Sequence, residues 1–573
     1  MQPQHGSASV ARSGESERGT LAARLRVWAP ALSLVLLGVL TYVDRLSGPF
    51  IFDDEHAIVH NPSLVPFELG RALRPPSESP VAARPLVNLS FAIDRSVFGL
   101  SPTAFHASNL SLHIACALVA FAALRRLLAL CPLRAQPELP AFVAAAAFCV
   151  HPMAAEVVLY TTQRSELLVA LCYLGALWLL LREAQTGVRS WPWVLLLGLC
   201  GAASKEVFVS APLVLLACDR AFCAGSFRAA LRERGAFHAA LALSLVPLLC
   251  LQLGAPRSES VRLLELDYLL AQARIVPGYV LHALWPARPV LDYGPLWPGT
   301  YASAWPWLAL GCAALALSGV WVWRWPRSGF TALWTLAILA PTSSVLSIHT
   351  EVGAERRFYL PLIAVLGAVS VLASALLERG LRVRQRAALL GLGAAAVVTL
   401  ALATRQHALD YRDTRAFWHA AARGNPDNAR AHYNLAETLR REGDGAGAIE
   451  SLRRALQARP AYADAHINLS GLLIASGALA DGLAHAERGA ALEPKSPNAH
   501  YNLALACAFS GQTERALAEL ETTVRLQPQH TEARRRLAQG YLALGRSEQA
   551  RAHARRLLQY APGDPLALRV LGR

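Results

Sequence analysis

Eleven apolar runs fill the stretch between residues 28 and 404, near 28–46, 107–130, 139–159, 164–182, 191–204, 207–222, 236–254, 304–323, 329–347, 358–378 and 386–404. Most are long enough for a helix to cross roughly 30 Å of hydrocarbon. A segment surrounded by lipid has no water to satisfy its backbone polar groups, so helix is the form open to runs of this length. Composition agrees: 54% of the 573 residues are hydrophobic and only 17% charged, where soluble domains carry about 25%. One large water-soluble globule, a disordered chain and a fibrous repeat are all excluded. The expected fold class is all-α: a polytopic membrane bundle of about eleven spans, then a soluble helical superhelix.

The Lys/Arg distribution predicts an orientation. Arg12, Arg18, Arg24 and Arg26 precede the first run, and later clusters stand at Arg125–Arg126–Arg134, Arg182–Arg189, Arg220–Arg234, Arg324–Arg327 and Arg379–Arg386. All of them fall on the cytoplasmic side if the interrupted run 266–286, with Asp267, Arg274 and Pro277, lies along the membrane instead of crossing it. The expected domains are then a disordered cytoplasmic tail (1–27), a membrane domain (28–404) and an exoplasmic repeat domain (405–573). A bacterial inner membrane is the expected location. The +15 net charge follows from this topology and predicts no nucleic-acid partner, because no basic patch is interleaved with aromatics. Ten cysteines, nine of them in or beside apolar runs, show neither zinc spacing nor a disulfide framework.

The last third repeats strictly. Pro426, Pro460, Pro494, Pro528 and Pro562 recur every 34 residues, as do Gly443, Gly477, Gly511 and Gly545, and Ala431, Ala465, Ala499 and Ala533. A 34-residue helix–turn–helix unit with Gly at the turn and Pro at the end is the tetratricopeptide repeat. Four full repeats are expected at 427–460, 461–494, 495–528 and 529–562, flanked by helix-like half-units at 413–425 and 563–573. Such arrays offer a concave face to peptides or proteins. Asn434, Asn468 and Asn502, also 34 apart, are candidates for holding an acceptor peptide backbone; the competing reading makes them helix–helix contacts.

Ionisable residues gather on one side of the predicted bundle, and charge at a membrane is costly and usually functional. The first exoplasmic loop carries Asp53, Asp54 and Glu55, then Arg84; His106, Asn109 and His113 open the second run; His151 and Glu156 close the third, with Arg164 after it. Lys205 and Glu206 lie between the fifth and sixth, and Glu355, Arg356, Arg357 and Tyr359 open the tenth. A carboxylate takes a proton from an acceptor hydroxyl, and the arginine fork neutralises a phosphate leaving group. Together they suit glycosyl transfer from a lipid-phosphate sugar, with Asp53 and Asp54 as catalytic candidates and the others as substrate contacts. The acids alone also read as a hydrated loop. Metal binding competes, since His56 and His60 join the cluster, but no ligand spacing supports it; neither a metal nor another cofactor is assigned.

In their order, Phe52-Asp53-Asp54-Glu55, Arg84-Pro85-Leu86, Phe105-His106, Leu112-His113, His151-Pro152, Lys205-Glu206 and Glu355-Arg356-Arg357-Phe358-Tyr359 resemble the transmembrane-and-tetratricopeptide protein O-mannosyltransferases and their bacterial relatives, within the C-type glycosyltransferase fold. The resemblance implies an inverting transfer of a sugar, mannose, from a polyprenyl-phosphate donor to Ser/Thr hydroxyls of an acceptor protein. It maps the catalytic acidic signature to Asp53 and Asp54 and donor contacts to Glu355, Arg356 and Tyr359. With four full repeats the array is shorter than in many members. The alternative function is a membrane-anchored scaffold without enzymatic activity, which would not need eleven spans with charges clustered on one side. A transporter would place ionisable residues near the midplane.

Overall fold

The computed structural model describes residues 28–131, 136–247, 261–286, 289–296, 301–377 and 383–572. The expected disordered tail, Cys250 and the Arg379 and Arg382 positions lie outside them. The chain divides into two compact units, Met1–Phe417 and Trp418–Arg573.

The first unit is built from helices that follow the apolar runs. Among the described residues six are long and apolar enough to cross a membrane: Pro102–Ala129, Thr161–Thr186, Glu206–Ala224, Ala302–Arg324, Glu355–Leu377 and Val383–Tyr411. Glu138–Cys149 and Pro152–Leu159 make a seventh candidate, bent by 55°. The bend has a local cause. Pro152 cannot continue the preceding helix, and His151 turns its ring to accept the Met153 N–H at 3.2 Å, starting a new turn.

The remaining four of the eleven expected runs also form helix, but in shorter pieces. One covers residues 28–42 and Trp191–Ala202 has 12 residues. Pro326–Ala340 gives way to a π-turn at Pro341–Val345, and Phe227–Leu243 ends in a turn at 244–245. Leu266–Leu284, with Pro277 inside it, is a 19-residue helix that does not qualify as a span. It leads from a short strand, Val261–Leu263, paired antiparallel with Leu346–Ile348.

Small residues set the closest helix approaches. A Cβ on Gly198 would lie 2.1 Å from the Ser244 hydroxyl, so no larger residue fits between Trp191–Ala202 and the segment after Phe227–Leu243. Pro102–Ala129 packs against both Glu138–Cys149 and Arg164–Thr186, with Ala117, Ala120, Ala144 and Ala170 buried.

The second unit alternates Ala429–Arg441 with Gly445–Ala458, Ala463–Ala475 with Leu479–Leu492, Pro497–Phe509 with Thr513–Leu526, and Thr531–Ala543 with Ser547–Tyr560, before the closing Pro565–Val570. The turn glycines Gly443, Gly477, Gly511 and Gly545 all have φ between +71° and +87°, a region open to glycine at little cost. At the fourth position of each first helix stands His432, His466, His500 or Arg534. Each reaches back six residues to the carbonyl of Pro426, Pro460, Pro494 or Pro528, at 3.0, 3.1, 3.1 and 2.7 Å. The same strut therefore closes every repeat.

Candidate active site

The first loop delivers its acids through a strained turn. Phe52 has φ +48°, rarely adopted by a bulky residue. Asp54, next but one, is fully buried. Its carboxylate accepts from the backbone N–H groups of Thr162 (2.7 Å), Thr161 (3.3 Å) and Ile51 (3.3 Å), and from the Thr162 hydroxyl. Burial nevertheless outweighs these donors and raises its pKa to about 7. Asp54 is thus the post that fastens the loop to the turn Thr161–Gln163. Asp53 differs: it is half-buried, and its backbone N–H donates to the Tyr160 hydroxyl at 3.3 Å.

Tyr160 is the hinge of the arrangement. The Arg356 guanidinium lies 5.9 Å from its ring centroid. Arg356 in turn pairs with Glu156 at 2.5 Å and with Glu351. The structure therefore brings together the first loop, the end of the bent helix pair and the motif that opens the Glu355–Leu377 helix, three stretches separated by more than a hundred residues in sequence. Arg357, next along, donates to the Tyr268 hydroxyl at 2.9 Å and to the Glu351 carbonyl at 2.7 Å. It also acts electrostatically on Glu206. Glu206 meets Arg84 at 3.4 Å, a long pair whose side chains keep 16% and 25% of their exposure. Lys205 is buried against Glu166.

Other sequence candidates are placed in the packing. Arg164, 1% exposed, pairs with Asp94 at 2.7 Å, donates to the Asn109 amide oxygen at 2.7 Å and to the Phe105 carbonyl at 3.1 Å, and lies 4.8 Å from the Phe91 ring centroid. His106 bonds the Leu46 carbonyl at 2.9 Å. His113 is held between the Tyr359 hydroxyl (2.7 Å) and the Cys149 carbonyl (2.9 Å). His151 reaches the Ala283 carbonyl at 3.2 Å. Glu355 accepts from His282 and from the Val290 N–H, both at 2.7 Å, and its hydrogen bond raises the His282 pKa. These side chains, expected from sequence to face a substrate, are engaged within the protein. Glu55, His56 and His60 are exposed. Among the described residues no three His, Cys, Asp or Glu side chains gather as metal ligands do.

Sequence reasoning passed over Tyr160, Thr162, Asp94 and Glu166. A signal was present: Tyr160-Thr161-Thr162-Gln163 is a polar tetrapeptide wedged between two apolar runs. In the repeats, Asn468 donates to the Tyr433 hydroxyl (3.0 Å) and to Glu437 (2.8 Å), and Asn502 to the Asn498 carbonyl of its own helix (2.8 Å). Asn434 is half-buried.

The tetratricopeptide-repeat family matches residues 408–464, 439–506 and 510–573. Among curated proteins, the chain is 29% identical over 180 residues to the mouse and human protein O-mannosyl-transferase TMTC2, covering 29% of this chain and 21% of theirs. It is 32% identical over 183 residues to human protein O-mannosyl-transferase TMTC1, covering 29% and 20%. The matched stretches thus span about a fifth of the length of those relatives. A solved tetratricopeptide protein, YrrB, described as having an unusual peptide-binding site, is 19% identical and covers 28% of this chain and 82% of its own, with a TM-score of 0.26. The chain is a helical membrane protein carrying a tetratricopeptide array, similar over part of its length to the protein O-mannosyl-transferases.

Proposed function

We propose that the chain is a membrane glycosyltransferase that moves a sugar, mannose, from a polyprenyl-phosphate donor to Ser or Thr hydroxyls of a protein on the exoplasmic side, with the repeat array recruiting the acceptor. The observation that carries this reading is the junction at Tyr160, where the Asp53 backbone and the Arg356 guanidinium meet on one polar residue.

The two acids divide the labour. Asp54 is enclosed by donors and serves to hold the loop. Asp53, the more open of the pair, is the base: its carboxylate takes the proton from the acceptor hydroxyl as the oxygen attacks the anomeric carbon, and the bond from that carbon to the phosphate oxygen breaks. The lipid phosphate leaves with the electron pair. Arg356 is already flanked by two carboxylates, so it serves as a tether between loops. Arg84, more exposed and in a long pair with Glu206, serves as the phosphate contact.

Full-length protein in proteoliposomes, given polyprenyl-phosphate-mannose labelled in the sugar and a Ser/Thr-rich acceptor protein, should transfer label. Asp53→Asn should lower the rate by about 10²-fold or more while the protein still purifies monodisperse. Transfer that persists at the parent rate in Asp53→Asn would remove the base assignment. Absence of transfer by the parent chain from any polyprenyl-phosphate sugar would remove the enzymatic reading.

A further inference from the structure

Where the helices of the candidate site reach their other ends, the packing leaves a groove of about 510 Å³, the size of a small-molecule site. Its walls come mainly from Pro102–Ala129, Arg164–Thr186, Pro326–Ala340 and Tyr359–Leu377. Small side chains keep it open: Ala120 and Ala123 on one wall, Ala364, Gly367 and Ala368 on another. A Cβ on Gly367 would meet only the Leu124 side chain, at 3.5 Å, so the groove is open in front of it.

Depth separates this groove from the candidate site. On Tyr359–Leu377 the lining runs from Ile363 to Ala375, about 18 Å of helix, whereas Arg356 precedes that stretch in the chain. Hydrocarbon is about 30 Å thick, so the groove takes up one leaflet's share of it, on the side away from the acidic loop. Trp334 closes the inner end, its indole N–H donating to the Leu360 carbonyl at 3.1 Å.

At the outer end the lining turns polar and basic, with Cys131, Arg327 and Ser328. The Arg327 Nε–H donates to the Ala221 carbonyl at 3.1 Å. Arg220, from the same π-turn Asp219–Ala224, donates to the Trp323 carbonyl at 3.2 Å. The two guanidinium groups are thus laced across one junction at the end of the spans. Among the described residues neither pairs with a carboxylate; Asp219 is taken by Arg234 and His238.

We infer that this groove holds one acyl chain of an anionic phospholipid from the leaflet opposite the candidate site, with the lipid phosphate on Arg327 and Arg220 adding charge at the rim. A slot as deep as a leaflet, apolar within and arginine-rimmed at its mouth, matches such a lipid in shape and charge. The arginine fork suits phosphate, and basic pockets between spans suit anionic headgroups. A chain anchored at the candidate site would have to enter from the other end, where Trp334 stands. The lipid completes the packing of the four helices.

The test uses full-length protein in phosphatidylcholine vesicles doped with phosphatidylglycerol that carries a diazirine in one acyl chain; phosphatidylcholine with the same chain is the control. After irradiation, adducts are mapped by mass spectrometry. Adducts at 363–375 should exceed those at 386–403, a helical stretch with no buried residue, at least threefold. The anionic probe should exceed the zwitterionic one there by a similar factor. Gly367→Phe, which fills the groove, and Arg327→Gln should each lower the excess at least threefold; Ala364→Leu replaces Gly367→Phe should that variant fail to purify monodisperse. Labelling no denser than at 386–403 means annular lipid alone and overturns the inference. Equal labelling by both headgroups overturns it, as does displacement of the probe by added polyprenyl phosphate.

Discussion

At the scale of single residues, the acidic pair shows how environment splits two identical side chains. Asp54, with its pKa raised to about 7, holds its proton more firmly folded than unfolded. Its contribution to stability is complete below about pH 4 and fades as pH climbs towards 7, with a slope of at most about 1.4 kcal/mol per pH unit. Thermal midpoints in detergent should therefore fall between about pH 4 and 7 for the parent chain, and the fall should flatten in Asp54→Asn; equal slopes would contradict the buried placement. Tyr160→Phe keeps the ring beside Arg356 and removes only the hydroxyl that meets Asp53. It should reduce transfer while leaving donor binding intact, measured by retention of labelled polyprenyl-phosphate sugar on the immobilised protein. The doublet and the Glu-Arg-Arg-Phe-Tyr motif were legible in the sequence because charge in an apolar chain has few innocent explanations. Tyr160 was not, because a lone tyrosine at the end of a hydrophobic run looks like an ordinary interfacial aromatic. Nor does a sequence separate a histidine that packs from one that binds: His106, His113 and His151 satisfy backbone carbonyls, and nothing in their spacing announces it.

At the scale of elements, Arg164 is the fastening of the membrane unit. It ties Pro85–Phe98 through Asp94, Pro102–Ala129 through Asn109 and the Phe105 carbonyl, and its own helix, Arg164–Thr186. Removing one partner of a buried pair costs about 3–5 kcal/mol because the other charge is left uncompensated. Arg164→Leu should thus lower the thermal midpoint sharply, whereas the double variant with Asp94→Leu should recover much of the loss; a milder single variant would show that the pair is not buried. The apolar runs gave helix position well but helix length poorly. Hydropathy reads 139–159 as one rod, yet His151 and Pro152 bend it by 55°. It reads 329–347 as another, yet Pro341 opens a π-turn that ends in a strand. Local backbone chemistry decided both, and averaged hydrophobicity does not sense it.

For the whole molecule, the division into two compact units predicts separable behaviour. Residues 418–573 expressed alone should give a helical circular dichroism spectrum and a cooperative thermal transition; a sloping, non-cooperative melt would mean the array depends on the membrane unit. In the full chain, deletion of residues 427–562 should spare donor retention and remove transfer to protein acceptors. The 34-residue period made the array fully readable, down to its turn glycines, because every repeat solves the same packing problem. What the period did not disclose is the strut from His432, His466, His500 or Arg534 to the preceding proline carbonyl. That strut makes each repeat a cassette with matching plugs at either end. Whole cassettes can accordingly be spliced in or out at the prolines, lengthening or shortening the arm in fixed notches while leaving every joint of the same make.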